Sequence, residues 1–365
     1  MDMFLPSDKE SQKYLRNLER KQEREAELAE LLNEYLSIQE ENISEIPPFP
    51  SKEEFEEFFL ACFDNLEKGL TKDCEKYLFP YIKQIEDARF VELDPYFKVL
   101  KGLSIQEKGL SLTMKEVLPG ELFPYSSYEV GPSPYFDERP SFAYSKKGFS
   151  YPVFSKEGRP WMSLVPHEIK TMEKAIEECE GEVLTYGLGM GYFAYRASIK
   201  ENVSHVTVVE SDKDVISFFK KHLLPSFPEG KIILVEQDAI SFAKNVKKGA
   251  YDFLFVDIYH DVEDGLPLYI VLKQNEGAAK KSSYWIEEDL LVYFRRYLVS
   301  YLLEQNDPEI IRQGDKPYQD ESDFPSKLFK SLHSELKTER IQGIDGIFRI
   351  LEDFSLFGII KHVAL

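Results

Sequence analysis

The sequence predicts an α/β fold built on a doubly wound parallel sheet. After residue 165, segments with helical periodicity alternate with short, nearly continuous apolar runs at 182–187, 205–211, 231–239 and 251–259. Strands that alternate with helices at this spacing form parallel sheets through right-handed crossovers. Nearly continuous apolar runs are expected when both faces of such a sheet are covered. The segment SSYWIEED is a weaker candidate for a fifth strand.

The segment before this domain, residues 1–118, is expected to form a helical domain. Apolar residues recur at helical spacing along 11–41 and again along 55–66, which is typical of amphipathic helices. Asp94 followed by Pro95 is a helix cap with proline at the first helical position. Aromatic stripes on such helices are core packing, so no chemistry is assigned to this domain.

Residues 119–160 have a different character and predict a small set of β-hairpins. Prolines, glycines and aromatic residues alternate there, and KKG and SKEG are turn signals between short apolar runs. Two interpretations of this segment stay open. Its aromatic residues either form a wall of a pocket or join two domains by packing between them.

The predicted sheet domain spans residues 161–307, and residues 308–365 are expected to be a mostly helical extension. Within the sheet domain, residues 289–305 are apolar on almost all sides. A helix of that kind is either buried in its own chain or buried against a partner. The second possibility predicts a homodimer that forms through residues 289–305.

Charge and composition disfavour several classes of function. The 65 acidic and 45 basic residues give a net charge of −20, and a protein that binds nucleic acid must neutralise phosphates with Lys and Arg. The start of the sequence has no apolar signal core, and no run approaches the roughly twenty apolar residues of a membrane span. The expectation is a soluble cytoplasmic protein with no nucleic acid or membrane partner. Three unpaired cysteines and scattered histidines predict no metal site.

A glycine-rich turn follows the first strand of the predicted sheet. In GLGMG, Gly187, Gly189 and Gly191 alternate with larger residues directly before a predicted helix. Glycine keeps a backbone clear of side chains, and a loop that leads into a helix suits a bound anion or carboxylate. The turn therefore predicts a site for a nucleotide-like ligand.

Acidic residues mark the ends of the next three strands. Glu210 lies 23 residues after Gly187, about the distance at which a carboxylate accepts hydrogen bonds from ribose hydroxyls. Asp238 ends the third strand, where a carboxylate can accept a hydrogen bond from an adenine amino group. Asp257 ends the fourth. Open α/β sheets bind ligands at the carboxyl ends of their strands, so these residues are expected to share one site.

These residues give the chain a resemblance to a known family. Residues 160 to about 290 resemble a class I S-adenosylmethionine-dependent methyltransferase domain, through GLGMG, Glu210, QDA at 237–239 and Asp257. The resemblance implies a Rossmann-like sheet of seven strands with S-adenosylmethionine as cofactor. It places Gly187, Gly189 and Gly191 under the methionine part and the ribose. Glu210 would bind the ribose, Asp238 the adenine, Ala239 would lie near the purine, and Asp257 near the methionine end or the acceptor.

The sequence departs from the family pattern at one position. The family usually has an acidic residue two places before the first glycine, where this chain has Thr185. That carboxylate normally helps to hold the cofactor's amino group, so its replacement affects the methionine end of the site. The segment WMSLVPHEI at 161–169 lies where the family often places a helix over the cofactor.

Methyl transfer is a displacement at a sulfonium carbon in which the protein mainly supplies position and electrostatics. An amine or hydroxyl acceptor must lose a proton, so a base near the fourth strand would help. His260, which precedes Asp261, is the candidate base, with Asp257 beside it, and Tyr259 would orient the acceptor. The acidic loop after Asp257 predicts a small, neutral or cationic acceptor.

Three alternatives compete with methyl transfer. A nicotinamide dehydrogenase spaces its glycines GxGxxG, but the third glycine position falls on Tyr192. An aminopropyltransferase of the spermidine synthase type shares the fold, and IYHDVEDG is faintly similar to its substrate loop, although that family prefers an acidic residue where this chain has Met190. The third alternative is a non-catalytic binding or scaffold protein on the same fold.

Overall fold

A computed structural model describes residues 5–63, 66–131, 134–306, 323–337 and 339–364. Fourteen α-helices lie in these ranges: α1 Lys9–Glu41, α2 Lys52–Ala61, α3 Lys68–Asp73, α4 Phe90–Leu93, α5 Pro95–Leu100, α6 Pro166–Glu178, α7 Tyr192–Ser198, α8 Lys213–His222, α9 Ala239–Asn245, α10 Val262–Gln274, α11 Glu287–Asn306, α12 Phe324–Leu336, α13 Gly343–Leu351 and α14 Asp353–Ile360. Short helical turns lie at Ile43–Glu45, Cys74–Leu78, Phe79–Tyr81 and Leu224–Ser226.

Twelve strands lie in the same described ranges and form three sheets. They are β1 Ile82–Ile85, β2 Ile105–Glu107, β3 Leu110–Val117, β4 Leu122–Val130, β5 Glu138–Ser145, β6 Phe149–Lys156, β7 Arg159–Ser163, β8 Gly181–Tyr186, β9 Val203–Glu210, β10 Ile232–Glu236, β11 Tyr251–Val256 and β12 Ala279–Tyr284.

The central sheet has five strands in the order β10-β9-β8-β11-β12. All four neighbouring pairs are parallel, and helices connect successive strands. Apolar side chains of β8, β9 and β11, such as Val183, Val208 and Phe255, are fully buried. This arrangement confirms the predicted α/β fold with a parallel sheet. The resemblance implied seven strands, but in the described residues the sheet ends at β12, because the chain then enters α11.

The structure differs from the expected helical domain over residues 1–118. β1, β2 and β3 lie inside this range, and β3 pairs along its whole length with β6. The predicted boundary at residue 118 therefore cuts through a four-stranded antiparallel sheet of order β2-β3-β6-β7. Lys108 and Gly109 both have positive φ, of 50° and 78°, so they form a tight hairpin turn that reverses the chain between β2 and β3.

The predicted hairpin segment, 119–160, does form antiparallel strands. β4 and β5 pair with each other, and β1 joins β5 in a three-stranded sheet. The partner strands β1 and β3 come from the segment that was expected to be helical, so this region packs as one unit with the residues before it.

The long helix α11 is buried by its own chain. It packs against α1 and α10 and against the C-terminal helices α12, α13 and α14. Leu290, Phe294, Leu298 and Leu302 are all fully buried within the single chain. The apolar character that suggested a homodimer through residues 289–305 therefore has an explanation inside one chain.

Buried ion pairs connect the helices α1 and α11 to the strand β5. We call Lys21, Glu25, Glu138, Arg139 and Arg295 the terminal ion network. Glu138 on β5 accepts from Lys21 on α1, at 3.2 Å, and from Arg295 on α11, while Glu25 pairs with Arg139. All five side chains are almost completely buried. The network therefore ties α1 and α11 to the antiparallel region.

The C-terminal extension is helical over its described part, through α12, α13 and α14. Residues 308–322, which belong to the predicted extension, lie outside the described residues. None of the helices in the described ranges combines the length and the apolar character that a bilayer span requires.

Candidate active site

A cavity of about 300 Å³ opens at the carboxyl ends of β8, β9, β10 and β11. Its volume is at the lower limit of ordinary small-molecule pockets. Predicted site residues that line it are Gly187, Gly189, Glu210, Asp238, Ala239, Asp257, Tyr259 and His260. The strand ends thus bring together residues that lie up to 73 positions apart in the sequence.

The three glycines have different roles in the structure. A side chain on Gly187, at φ +91°, would collide with the backbone carbonyl of Asp257, so this glycine allows β8 and β11 to approach closely. A Cβ on Gly189 would lie 2.6 Å from the sulfur of Met162. Gly191 was expected to bind the ligand, but it lies behind the cavity wall. Its Cβ would meet the ring of Phe219 at 2.7 Å, so it is a packing glycine.

Most of the amide groups of the glycine loop, residues 187–191, already have acceptors. The amide of Gly187 donates to the Val209 carbonyl at 2.9 Å, and that of Gly191 donates to Leu188 at 2.7 Å. The amide of Leu188 donates to Glu210 at 3.1 Å. The Met190 amide donates to the thioether of Met162 at 3.4 Å. These four amides are therefore not free to hold a ligand carboxylate.

Glu210 links the glycine loop to the turn after β9. One carboxylate oxygen accepts from the Leu188 amide, and the other accepts from the Asp212 amide at 2.8 Å. The carboxylate is thereby oriented along the cavity wall. The oxygen that accepts from Leu188 retains a lone pair for a further donor, whereas the other oxygen also lies 3.5 Å from the hydroxyl of Ser211. The carboxylate can therefore accept from a ribose hydroxyl, as the resemblance implied.

Asp238 lines the cavity and is exposed. One oxygen caps α9 by accepting from the Ser241 amide at 2.8 Å, and the cap orients the carboxylate. Ala239 is buried next to it at the first position of α9. The cavity therefore has a carboxylate and a small apolar surface where the resemblance places a purine.

Two neighbouring acids, Asp257 and Glu168, line the cavity. Burial raises the pKa of Asp257 to about 7, with the negative charge of Glu210 adding to the increase and His260 opposing it. Burial, together with the charge of Asp257, raises the pKa of Glu168 well above its usual range. The Glu168 oxygen Oε2 is buried and has no hydrogen-bond partner in the described structure. Near neutral pH, these two carboxyl groups hold at least one proton between them.

The sequence did not single out Glu168, because no strand ends at this residue. It lies in the first turn of α6, after Pro166, within the WMSLVPHEI segment that was expected to cover the cofactor. The position of that segment indicated that it would lie near the cofactor. Its helical periodicity does not show that the Glu168 carboxyl group faces the cavity.

The predicted roles of Tyr259 and His260 need correction. The hydroxyl of buried Tyr259 donates to the carbonyl of Trp285, so it is not free to orient an acceptor. His260 is exposed, and its Nδ1 lies 2.8 Å from a carboxylate oxygen of Asp264 rather than close to Asp261. Asp261 and Asp264 instead form a capping box at the start of α10. These acids stabilise a helix, and neither lines the cavity.

Two tryptophans, Trp161 and Trp285, line the cavity. Trp285, which follows β12, donates its indole N–H to Thr171 at 3.0 Å and stacks on Tyr259. The next residue, Ile286, has φ +47°, which is strained for a β-branched side chain. Trp161 on β7 lies at the mouth with its ring 5.4 Å from that of His260.

The hairpin segment 119–160 was one candidate for an aromatic wall, and this expectation is wrong. The lining residues nearest to it are Trp161 and Met162, because β7 runs beyond the end of that segment. In the described ranges, no group of three or more His, Cys, Asp or Glu side chains is arranged to hold a metal ion.

Comparison with known proteins identifies a related domain. Residues 169–269 match the model of a family described as spermine/spermidine synthase domain. The matched segment runs from α6 into α10, so it contains the strand ends that form the cavity. The match corresponds to the alternative of the sequence analysis, an aminopropyltransferase, rather than to a methyltransferase. No curated protein sequence matches the chain.

The chain is also similar to solved structures of spermidine synthases. One, in complex with the transition-state analogue AdoDATO, is 18% identical over 35% of this chain and 47% of that chain, with a TM-score of 0.30. The enzyme from Thermotoga maritima is 17% identical over 40% and 54%, also with a TM-score of 0.30. A probable spermidine synthase from Corynebacterium glutamicum is 18% identical over 30% and 44%, with a TM-score of 0.25.

The chain therefore spans about half the length of these structures. Together with the five-stranded parallel sheet, the domain match confirms the Rossmann-like fold class that the glycine turn and the strand-end acids predicted.

Proposed function

We propose that this protein transfers an aminopropyl group from decarboxylated S-adenosylmethionine to a small amine. The observation that carries the proposal is the charge of the cavity. Glu168, Glu210, Asp238 and Asp257 line it, and none of the described lining residues is a lysine or an arginine. Glu168 and Asp257 hold at least one proton between them near neutral pH, so the remaining carboxylates supply the negative charge. Such a cavity complements cations, and both substrates of this reaction are cationic.

The charge of the cavity also distinguishes S-adenosylmethionine from decarboxylated S-adenosylmethionine as the donor. S-adenosylmethionine carries a carboxylate beside its ammonium group, whereas the decarboxylated donor carries only the ammonium group. At the glycine loop a carboxylate would find four of the amides already bonded and Asp257 nearby. Burying a charge without a partner is costly. The cavity therefore favours the decarboxylated donor, and the match of residues 169–269 to a spermine/spermidine synthase domain supports the same choice.

The nucleoside end of either donor fits the residues along the cavity wall. Glu210 is oriented to accept from the ribose hydroxyls, and Asp238 is oriented to accept from the adenine amino group. Ala239 leaves room for the purine, since a larger side chain at the start of α9 would enter the cavity. These roles are shared by methyl and aminopropyl transfer, so they do not distinguish the two reactions.

Asp257 is the proposed base. In the transfer, the lone pair of an amine nitrogen forms a bond to the carbon next to the sulfonium. The carbon–sulfur bond breaks, and its electron pair stays on sulfur as a neutral thioether. The extra proton on the product nitrogen passes to the Asp257 carboxylate, whose pKa of about 7 suits a base at neutral pH.

Glu168 and Trp285 are the proposed contacts for the acceptor. The carboxyl group of Glu168 lines the cavity and offers an acceptor for an ammonium group, and the ring of Trp285 offers an apolar wall for a short alkyl chain. A diamine fits this combination, because one nitrogen can bind as a cation while the other reacts.

Methyl transfer from S-adenosylmethionine is the second candidate, and the motif resemblance favours it. A transfer assay on the full chain separates the two reactions. We expect decarboxylated donor and 1,4-diaminobutane to give an aminopropylated amine and 5′-methylthioadenosine, detected by mass spectrometry. Formation of a methylated amine from S-adenosylmethionine, without any aminopropylated product, would replace this proposal by methyl transfer.

A further inference from the structure

The backbone of Met190, between Gly189 and Gly191, is hydrogen-bonded through both its amide and its carbonyl to residues outside the matched domain. On the cavity side, the amide of Met190 donates to the thioether of Met162 on β7. On the opposite side, the carbonyl of Met190 accepts from the hydroxyl of Tyr96 on α5. Both contacts come from chain segments that precede residues 169–269, so the matched domain does not supply them.

Tyr96 lies in a rigid environment. Its side chain is fully buried, and its ring centroid lies 4.8 Å from that of Tyr195 and 5.9 Å from that of Phe227. A Cβ on Gly191 would lie 3.3 Å from the Tyr96 hydroxyl. The hydroxyl therefore reaches the glycine loop at the point where the loop becomes helix α7, and neighbouring rings leave it little freedom to move.

Asp94 caps α5, the helix that carries Tyr96, and also binds α7. One of its carboxylate oxygens accepts from the Tyr96 amide at 2.7 Å, which fixes the first turn of α5. The other oxygen accepts from the hydroxyl of Tyr192 at 3.1 Å and from the guanidinium of Arg196, both on α7. Asp94 is itself buried. The start of α5 is thus bonded both to the glycine loop and to the helix that follows it.

A loop of this composition needs such support. Gly187, Gly189 and Gly191 all have positive φ, and glycine loses more conformational freedom on ordering than any other residue. A loop that is disordered before binding pays this entropy when the ligand arrives, which weakens affinity. An external hydrogen bond that keeps the loop ordered removes part of that cost.

We infer that Tyr96 is a positioning residue for donor binding, because its hydroxyl holds the glycine loop in the conformation that faces the cavity. The inference rests on the proposed function only in the choice of ligand. The segment around α5, which the sequence assigned to a domain without chemistry, thereby contributes to the site without touching the ligand.

The test compares Tyr96→Phe with Tyr14→Phe. Tyr14 is a matched control, because it is also buried and its hydroxyl also donates to a backbone carbonyl, that of Pro134, at 2.6 Å. Tyr14 lies on α1 and does not line the cavity. Each substitution removes one hydroxyl and keeps the ring, so the two variants should lose similar stability.

Two measurements are made on each full-length variant. We expect Tyr96→Phe to bind 5′-methylthioadenosine about tenfold more weakly in calorimetry, equivalent to about 1.4 kcal/mol, and Tyr14→Phe to bind like the parent. Hydrogen exchange of the ligand-free protein should be faster in peptides that cover 187–192 in Tyr96→Phe alone. This readout requires no ligand, so it decides the inference even if the proposed function fails.

Unchanged exchange at 187–192 in Tyr96→Phe would overturn the inference. Equal loss of affinity in both variants would also overturn it, because the loss would then reflect general stability. Faster exchange in Tyr96→Phe alone, together with no nucleoside binding by the parent protein, would retain the role of Tyr96 in ordering the glycine loop and reject the proposed function.

Discussion

The terminal ion network and the cavity both contain acidic residues that are shielded from water. The acids of the network have cationic partners, whereas the two acids Asp257 and Glu168 of the cavity lie next to each other. In the terminal ion network, Glu138 is bonded to Lys21 and Arg295, and Glu25 to Arg139. In the cavity, Asp257 and Glu168 lie close enough to raise each other's energy when both are ionised, and Glu168 has an oxygen without a partner.

The presence or absence of cationic partners indicates whether a buried acid has a structural or a functional role. A buried acid with charged partners keeps its charge and fixes the elements that carry it, although the pair contributes little net stability. A buried acid without a cationic partner lowers the stability of the folded protein when it is ionised. Acids in such environments are typical of functional sites. The comparison therefore assigns the terminal ion network to assembly of the fold and the cavity acids to chemistry.

The largest expected effect is on turnover in Asp257→Asn. Removal of a general base typically lowers the rate about 10²- to 10⁴-fold, so aminopropyl transfer should fall by that factor.

The Asp257→Asn variant should be as stable as the parent protein or more stable. The unfolded chain ionises this carboxyl near 3.8, whereas the folded chain keeps the proton up to about 7, so ionisation penalises folding at neutral pH and asparagine removes the penalty. Rate assays and urea unfolding measure both quantities, and a variant with the parent's rate would contradict the assignment.

Glu138→Gln should show the reverse pattern. Loss of one partner from a buried ion pair costs about 3–5 kcal/mol, so the free energy of unfolding should fall by that amount, while the folded fraction binds donor normally. Glu182→Gln is the control, since Glu182 pairs with His205 at the surface and should cost less than about 1 kcal/mol. Equal losses in the two variants would remove the distinction between buried and exposed pairs.

Glu210→Ala should weaken donor binding by about 1.5–3 kcal/mol, the usual loss for a charged hydrogen-bond partner. Part of this loss arises because the Leu188 amide also loses its acceptor. Glu236→Ala is the matched control, because Glu236 ends the neighbouring strand β10 and pairs with Lys213 outside the cavity. Calorimetry that finds the same affinity for Glu210→Ala and Glu236→Ala would reject the ribose role.

The pH dependence of aminopropyl transfer is expected to be a smaller effect than the loss of binding in Glu210→Ala. Asp257 acts as a base only in its ionised form, and its pKa is about 7. The second-order rate constant kcat/KM should therefore rise about tenfold per pH unit up to that pH and increase less steeply above it. A profile measured from pH 5.5 to 9 that shows no change of slope near 7 would argue against Asp257 as the base.

The smallest effect is expected for His260→Asn. The imidazole is exposed and paired with Asp264, so its loss should lower turnover by no more than about threefold, below the range for a general base. A loss as large as that of Asp257→Asn would restore the original assignment of His260 as the base.

Local patterns in the sequence were sufficient to predict the parallel sheet. Each of β8, β9, β10 and β11 is a continuous apolar run bounded by turn or helix signals, and parallel strands place their carboxyl ends along one edge. Gly187, Glu210, Asp238 and Asp257 could be placed together on that basis alone.

Features that depend on distant segments could not be predicted in this way. The strand β2 has only three residues, and what identifies β3 is its pairing with β6, which lies about 40 positions later. Glu168 enters the cavity because α6 packs over the sheet, and the orientation of one helical side chain requires the tertiary structure. The burial of α11 likewise depends on α1 and on the C-terminal helices.

The central claim is that the cavity binds a cationic donor that lacks a carboxylate. The most direct test is calorimetric titration of the full chain with decarboxylated S-adenosylmethionine and with S-adenosylmethionine at pH 7.5. The decarboxylated donor should bind at least about tenfold more tightly, a difference of about 1.4 kcal/mol, because the carboxylate of the other ligand would be buried without a partner. Equal or tighter binding of S-adenosylmethionine would contradict the claim.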